Sequence, residues 1–245
     1  MAGQCVLITG GSSGIGLATA QLMHERGAQV IITGRSPDSL RAAREVLPDD
    51  VAVVRADAAS LADTDRLVAD IAERFGQLTG LFLNAGVSKS IPLAAVDEAA
   101  FDELFATNTK GQFFTLQRAA PLLCEGASVV FTVGIGTMRG IAGGSVAAGS
   151  KGALLAMVPS LAAELAPRRI RVNAVSPGAI STPIWAKTGR SPEQLETVTE
   201  AMAATIPLGR LGEAREVAAT VAFLLSDDAA YITGENIIVG GGLRG

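Results

Sequence analysis

The chain has 245 residues and a mass of 24.9 kDa, a length that α/β folds often reach as one domain. Its residues are 49% hydrophobic and 18% charged, which excludes a disordered chain or a coiled coil. The net charge of −4 provides no basic surface for nucleic acid or for an anionic membrane.

The N-terminal residues and the two cysteines indicate the compartment. Residues 1–4 contain no basic segment and no processing site, so we expect no signal peptide. The charge-free stretches are interrupted by Gly or Pro and fall short of the ~18 apolar residues of a membrane span. We place Cys5 on a strand and Cys124 at a helix end, and two isolated thiols favour a reducing compartment. The sequence therefore predicts a cytoplasmic protein without membrane or nucleic-acid partners.

Short apolar runs alternate with longer amphipathic segments from end to end. Seven runs have the length and composition of parallel strands covered on both faces: residues 6–9, 29–33, 51–55, 81–83, 128–132, 171–175 and 236–239. Between them apolar residues recur with helical spacing, and Ser36-Pro37 and Ser191-Pro192 are typical of helix starts. Repeated strand–helix–strand units predict one α/β domain over residues 1–245, with a doubly wound parallel sheet of about seven strands.

The first strand and the first helix are joined by the glycine-rich run 9–16, TGGSSGIG. Its glycines allow a tight turn and bring backbone N–H groups to a phosphate at a helix N-terminus. The spacing differs from the common Gly-x-Gly-x-x-Gly pattern, and such a turn can also be a simple strand–helix connection. Its place directly after the first strand favours nucleotide binding.

Together with three further motifs, this run resembles the short-chain dehydrogenase/reductase family. The other motifs are NAG at 84–86, TNTKG at 107–111 and RVNAVSPG at 171–178, and the match continues to PLGR at 207–210 and GGG at 240–242. The resemblance implies a seven-stranded Rossmann-type sheet and a nicotinamide dinucleotide. It also implies hydride transfer to or from a small carbonyl or alcohol, no metal site, and a homotetramer.

The resemblance assigns cofactor-binding roles position by position. The residues implied to hold the phosphates are Gly10, Ser12, Ser13, Ile15 and Gly16. Asp57 would meet the adenine, although an acid there also suits a capped turn. The residues implied to line the ribose side are Asn84, Ala85 and Gly86. Those implied to flank the nicotinamide are Pro177, Gly178, Ile180 and Thr182.

The end of the second strand indicates which nucleotide binds. An Asp or Glu there would accept hydrogen bonds from the 2′-hydroxyl of NAD and repel a 2′-phosphate. This chain has Thr33-Gly34-Arg35 instead, and Arg35 offers a charged fork suited to a phosphate. Arg35 could also be an ordinary surface arginine. The sequence favours NADP over NAD.

The catalytic positions of the family are only partly present. Its members use a Tyr-x₃-Lys pair, an upstream Ser and a supporting Asn; the Asn and Lys correspond to Asn108 and Lys151, and Lys151 would also bind the nicotinamide ribose. Ala147 stands four residues before Lys151, and the position implied for the Ser is Gly134. The one tyrosine, Tyr231, lies far downstream, so the proton donor is missing.

The histidine and the residues around the predicted catalytic helix have further expected roles. His24, the one histidine, lies in the first helix away from the nicotinamide, where we expect a surface or packing role. Pro159 is predicted to kink the helix that follows Lys151. The substrate lid is placed at 181–204, with apolar Trp185 and Met202. The residues expected to supply apolar surface for the tetramer are Phe113, Leu116, Leu154 and Leu155.

Three functions remain open at this point. The chain could be an NADP-dependent oxidoreductase with impaired or unconventional proton transfer, because a general acid contributes ~10²–10⁴-fold to rate. It could be an inactive NADP-binding pseudoenzyme. It could also reduce an already charged iminium, which needs hydride but no acid. If the scaffold is otherwise intact, Gly134→Ser with Ala147→Tyr should create carbonyl reductase activity.

Overall fold

The structure is a computed structural model that describes residues 1–182 and 191–243. Its centre is a parallel sheet of seven strands in the order β3-β2-β1-β4-β5-β6-β9. These strands are β1 Cys5–Thr9, β2 Gln29–Gly34, β3 Ala52–Arg55, β4 Leu78–Leu83, β5 Leu123–Thr132, β6 Arg171–Pro177 and β9 Asn236–Val239. Two short strands, β7 Ile180–Ser181 and β8 Gly212–Glu213, pair separately. The prediction of a seven-stranded doubly wound α/β fold is confirmed.

Helices cover both faces of the sheet. They are α1 Gly14–Glu25, α2 Pro37–Val46, α3 Leu61–Arg74, α4 Glu98–Phe105, α5 Gln112–Ala119, α6 Ser145–Leu165, α7 Pro192–Thr205 and α8 Ala214–Leu225. Apolar residues of α1, α2 and α8 pack on one face, and those of α3, α5 and α6 pack on the other. A π-helical segment, Ala106–Gly111, joins α4 to α5. Such segments often occur at functional sites, because the wider turn redirects side chains.

The predicted strands and helix starts agree with the structure in most places. Ser36 caps α2 by accepting a hydrogen bond from the Ser39 amide, as its place before Pro37 indicated. Strand β5 begins five residues earlier than predicted, so Cys124 lies in a strand and the helix-end assignment is wrong. The pairing of β4 with β5 explains the difference: the register shifts after Leu78 pairs with Leu123, and the early part of β5 depends on that distant partner.

Helix α6 has an apolar composition over its whole length. By length and composition alone, residues 145–168 could cross a membrane. In the fold, Leu154, Val158 and Ala162 are buried against the sheet, so we interpret α6 as a core helix of the domain. Pro159, which was predicted to kink this helix, is exposed, and α6 continues on both sides of it.

Two of the residues expected to form a tetramer surface are in the core instead. Leu116 is 3% exposed and Leu154 is 1% exposed, because both side chains pack against the sheet. The prediction that they supply surface is therefore wrong. Phe113 and Leu155 are only partly buried and retain apolar surface in the monomer.

Candidate functional site

In the glycine-rich loop between β1 and α1, a side chain at either of two glycines would clash with backbone atoms. Gly10 has φ +64°, and a Cβ atom built on it would lie 2.9 Å from the Ala85 Cα atom. A Cβ atom on Gly16 would lie 2.2 Å from the Gly10 carbonyl oxygen. Only glycine fits at positions 10 and 16, so the backbone of the loop is left uncovered at the N-terminus of α1.

The start of α1 has the electrostatic character of an anion site. Ser13 occupies the N-cap position, but its side chain makes no capping hydrogen bond. The first turn of α1 contains no acidic residue. Free backbone N–H groups and the positive end of the helix dipole together favour a phosphate here.

The loop after β4 is fastened to the glycine-rich loop. The Asn84 side-chain amide donates to the Gly10 carbonyl at 3.1 Å and to the Thr9 carbonyl at 3.3 Å. The Thr9 hydroxyl accepts from the Asn84 and Ala85 backbone amides at 3.0 Å and 3.1 Å. The structure thus brings together Gly10, Gly16, Asn84 and Ala85, four of the residues that the resemblance assigned to the cofactor.

Arg35 directly follows β2 and its last residue, Gly34, which packs against the Ser12 hydroxyl. A Cβ atom on Gly34 would lie 2.8 Å from the Ser12 hydroxyl oxygen, which is itself 3.2 Å from the Ser39 hydroxyl oxygen. Arg35 is exposed and has no ion pair or hydrogen bond with any residue in the described part of the chain. The nearest acid along the chain, Asp38, pairs with Arg41. A guanidinium that is unpaired within the described residues is suited to a phosphate, and the Ser12 hydroxyl lies beside the preceding residue, Gly34.

Asp57 forms the capped turn that the sequence left as one of two possibilities. Its Oδ1 atom accepts from the Ala59 amide at 3.0 Å, and its own amide donates to Asp63 Oδ2 at 3.0 Å. This turn holds the Asp57 carboxylate beside the end of β3. One of the two carboxylate oxygens is used within the turn.

The segment that follows β6 lies next to the glycine-rich loop. Gly178 packs so closely on the last loop that a Cβ atom would lie 2.8 Å from the Gly240 Cα atom. Ile180 is buried, and a Cβ atom on Gly14 would lie 3.5 Å from Thr182. Within the predicted lid, Met202 lies on α7 and is partly buried, and Trp185 lies outside the described residues.

Asn108 is the centre of a buried hydrogen-bond network on the π-helical segment. Its side chain accepts from the Val87 amide at 2.8 Å and donates to the Val87 carbonyl at 2.9 Å. The same amide group donates to the Ser150 hydroxyl at 3.0 Å, and that hydroxyl donates to the Ala147 carbonyl at 2.9 Å. This network fixes the first turns of α6 against the loop after β4.

Lys151 lies between the ends of β4 and β5. Its Nζ atom donates to the Thr132 carbonyl at 2.8 Å. A Cβ atom on Gly86 would lie 2.8 Å from the same nitrogen and 3.1 Å from Asn108 Oδ1. Burial disfavours the charged form and lowers the pKa of the Lys151 ammonium from 10.5 to about 8. Lys151 can therefore give up or take a proton near pH 8.

The two positions that the sequence singled out as substituted have different surroundings. Ala147 lies one turn before Lys151 on α6 and is partly buried. Gly134 has φ +133° and ψ +148°, a conformation that is almost confined to glycine. Nothing lies within 4 Å of a Cβ atom built there. A side chain at 134 would find space, but its backbone would be strained.

The remaining candidate donors lie elsewhere. Tyr231 is fully exposed in the loop before β9. His24, near the C-terminal end of α1, has its Nε2 atom 2.9 Å from Asp50 Oδ1, which agrees with a surface role. Within residues 1–182 and 191–243, no cluster of three or more His, Cys, Asp or Glu side chains could hold a metal ion.

Sequence reasoning missed two residues of this region. Thr132 holds Lys151 through its carbonyl, and its hydroxyl donates to Asn84 Oδ1 at 3.0 Å. Gln112 is 1% exposed, and its amide donates to the Ala85 carbonyl at 2.7 Å. Gln112 could have been found from its spacing, because it is a polar residue four positions after Asn108 and so lies on the same helical face.

Known proteins resemble this chain over nearly its whole length. The family model described as "Enoyl-(Acyl carrier protein) reductase" matches residues 10–244. A levodione reductase from Leifsonia aquatica is 36% identical over 247 residues, covering 97% of this chain and 92% of the relative. A 3-oxoacyl-[acyl-carrier-protein] reductase from Thermotoga maritima is 37% identical over 251 residues, covering 98% of each.

Solved structures agree with these relatives. The crystal structure of levodione reductase superimposes with a TM-score of 0.91 at 35% identity, covering 99% of this chain and 98% of the other. The fold and the relatives' names both correspond to dehydrogenases and reductases.

Proposed function

Because the chain belongs to the short-chain dehydrogenase/reductase family, whose members are NAD(P)-dependent oxidoreductases, we propose that it uses NADP and reduces a carbonyl without a tyrosine proton donor. The family's Tyr and Ser positions are, in this proposal, Ala147 and Gly134. The observation that carries it is the position of Lys151, whose amine lies at the carboxyl ends of the strands beside the loop 84–86. In open α/β sheets, ligands bind at that edge.

The residues present fit a dinucleotide. Positions 10 and 16 admit no Cβ atom, and the start of α1 provides unpaired N–H groups for the phosphates. We assign the phosphates to Gly10, Ser12, Ser13, Ile15 and Gly16. The adenine is assigned to Asp57, and the ribose side to Asn84, Ala85, Gly86 and Lys151. The nicotinamide is assigned to Pro177, Gly178, Ile180 and Thr182.

When bound, the reduced nicotinamide supplies a hydride to the carbonyl carbon. The chain must then provide one proton for the carbonyl oxygen, and Lys151 Nζ is the titratable donor that we assign to this step. The Thr132 carbonyl holds the ammonium in place, and burial makes it more acidic than an exposed lysine. Asn108 and Ser150 keep the start of α6, and with it Lys151, in register with the loop after β4.

An activity assay combined with a binding assay tests this proposal. Nucleotide fluorescence first measures whether NADPH binds, and NADPH consumption is then followed against a panel of small ketones and aldehydes. Binding with slow but measurable carbonyl reduction is expected. Absence of binding to either nucleotide would contradict the proposal as a whole.

A second candidate function, a nucleotide-binding protein without catalysis, is favoured by the conformation of Gly134. A backbone at φ +133° is ill suited to the serine that would hold a carbonyl oxygen. A third, reduction of an iminium, needs no acid at all. Binding without turnover would support the second, and turnover of a cyclic iminium but of no ketone would support the third.

We expect NADPH to bind at least several-fold more tightly than NADH. Arg35 is unpaired within the described residues, and a charge-assisted contact with the 2′-phosphate contributes about 1.5–3 kcal/mol. Arg35→Ala should remove most of the preference by weakening NADPH binding alone, as measured by fluorescence titration. Arg44→Ala, at a partly buried arginine of α2 that donates to the Pro48 and Asp49 carbonyls, is the control and should leave the preference unchanged. Equal affinities in the unaltered protein would contradict the assignment.

We also propose a homotetramer that buries the partly exposed apolar residues of α5 and α6. Phe113, Leu155 and Met157 are only partly buried in the monomer, and a symmetric interface over them would remove their apolar surface from water. Light scattering at micromolar concentration should give four times the 24.9 kDa mass of the chain. A monomer mass under those conditions would refute the proposed assembly.

A further inference from the structure

Gln112 keeps a polar atom buried without a partner. The side chain is 1% exposed, and its Oε1 atom has no hydrogen-bond partner in the described part of the chain. Its Nε2 atom, in contrast, donates to the Ala85 carbonyl at 2.7 Å. A buried acceptor without a partner loses the hydrogen bond that water would give it, so an apolar side chain of the same size would avoid a cost.

The hydrogen bond that Gln112 does make reaches the loop assigned to the nucleotide. The Ala85 amide donates to the Thr9 hydroxyl at 3.1 Å, so both backbone polar groups of Ala85 are held within the protein. Two residues later, Asn108 bonds both the amide and the carbonyl of Val87. Side-chain amides at 108 and 112, one helical turn apart, therefore fix the backbone on either side of Gly86.

Gly86 is the point at which this loop approaches Lys151. A Cβ atom there would lie 2.8 Å from Lys151 Nζ, so a small rotation of the 85–87 backbone would change the space around the amine. The helix start is equally constrained, because a Cβ atom on Gly111 would lie 2.2 Å from the Ala58 carbonyl oxygen. Gln112 thus projects from a helix start that touches both the Ala58 turn and the loop 84–87.

We propose that Gln112 is a positioning residue: it fixes the Ala85 carbonyl, and with it the 84–87 loop, in the conformation that binds NADP, at the cost of its own unpaired Oε1. The inference rests on the proposed nucleotide binding. Local departures from ordinary packing rules are expected where function requires them. A residue retained for packing alone would have its polar atoms satisfied or absent.

Gln112→Met, which keeps the length of the side chain but removes both amide atoms, separates the two roles. The variant loses one hydrogen bond and one unpaired acceptor, so we expect its melting temperature to stay within about 3 °C of the unaltered protein. NADPH should bind roughly fivefold to tenfold more weakly, because the loop is no longer held. In the nucleotide-free protein, hydrogen exchange should accelerate in the peptide that contains residues 84–88 and not elsewhere.

Gln117→Met provides the matched control, since Gln117 is exposed on the same helix. It should change neither the melting temperature nor NADPH binding nor exchange. A Gln112→Met variant with unchanged NADPH affinity and unchanged exchange at 84–88 would overturn the inference and leave the proposed function intact. A large fall in melting temperature with exchange raised throughout the domain would also overturn it, by showing a structural role. If the unaltered protein binds neither nucleotide, the proposed function fails, and this inference fails with it.

Discussion

Ala147→Tyr is expected to raise the rate of NADPH-dependent carbonyl reduction by about 10²–10⁴-fold, the usual contribution of a general acid. Position 147 lies one turn before Lys151 on α6, and residues four apart on a helix are neighbours on one face. The Lys151 ammonium would lower the pKa of a phenol placed there, because a nearby positive charge favours the phenolate. The gain is measured as kcat/KM for NADPH consumption with the ketone that the unaltered protein turns over best.

Ala147→Phe is the control for this variant, since it adds the same ring without the hydroxyl. It should give no gain, and NADPH affinity should be similar in both variants. A folded, NADPH-binding Ala147→Tyr variant that shows no gain would indicate that the site differs from the family in more than the missing donor.

The backbone conformation of Gly134 changes the expected effect of restoring a serine there together with the tyrosine. The sequence favours restoring Ser and Tyr together, and the space around position 134 allows a side chain. The backbone conformation of Gly134 disfavours any side chain, however, because a non-glycine residue with φ near +133° costs about 1–3 kcal/mol of folding free energy. Adding Gly134→Ser to Ala147→Tyr should therefore lower the melting temperature by roughly 2–10 °C. The serine can raise activity further only if residues 133–135 adopt a new backbone conformation.

Carbonyl reduction by the unaltered protein should fall tenfold per pH unit above about pH 8 and be flat below it. The direction follows from the role assigned to Lys151: reduction needs the charged ammonium as proton donor, and burial lowers its pKa to about 8. Below that pH the ammonium is charged and the rate is unaffected. Above it, the fraction that carries the donated proton decreases. The measurement is kcat/KM between pH 6 and pH 10.

Substitutions at Lys151 test the same role independently of pH. Lys151→Arg keeps a positive charge but not an available proton, so reduction should fall by at least about 10²-fold. Lys110→Met, at an exposed lysine of the π-helical segment, should behave like the unaltered protein. In Ala147→Tyr the alkaline limb should move, because the phenol becomes the donor. A Lys151→Arg variant with full activity and the original pH profile would refute Lys151 as the acid.

The order of strands and helices could be predicted from the sequence because it depends on local patterns. Apolar runs of strand length and the Ser36-Pro37 start are properties of a few consecutive residues. The early part of β5 could not be predicted in this way. Residues 123–127 contain Glu125 and Gly126, and their strand assignment depends on pairing with Leu78 far along the chain. Tertiary pairing overrode local preference there.

Residues of the candidate site that belong to a sequence motif could be predicted. Features that depend on backbone conformation or on burial could not. The glycine-rich loop and the positions of Asn108 and Lys151 followed from the family's motifs. The φ of Gly134 did not, because the residue name alone does not reveal which glycine conformation is used. The sequence placed Leu116 and Leu154 on an intersubunit surface. Only the packing of the folded chain shows that both are core residues.

The place of β9 in the sheet has a consequence for synthesis of the chain on the ribosome. Strand β6, all of whose residues are buried in the finished fold, pairs with β5 on one side and on the other with β9, which follows about 60 residues later. At 5–20 residues per second, the ribosome takes roughly 3–12 seconds to add that segment. During this interval the β6 edge presents unpaired backbone groups on a strand that is buried in the finished fold, a template for association with other chains. We therefore expect the yield of native protein to depend on how quickly β9 is synthesised and pairs with β6.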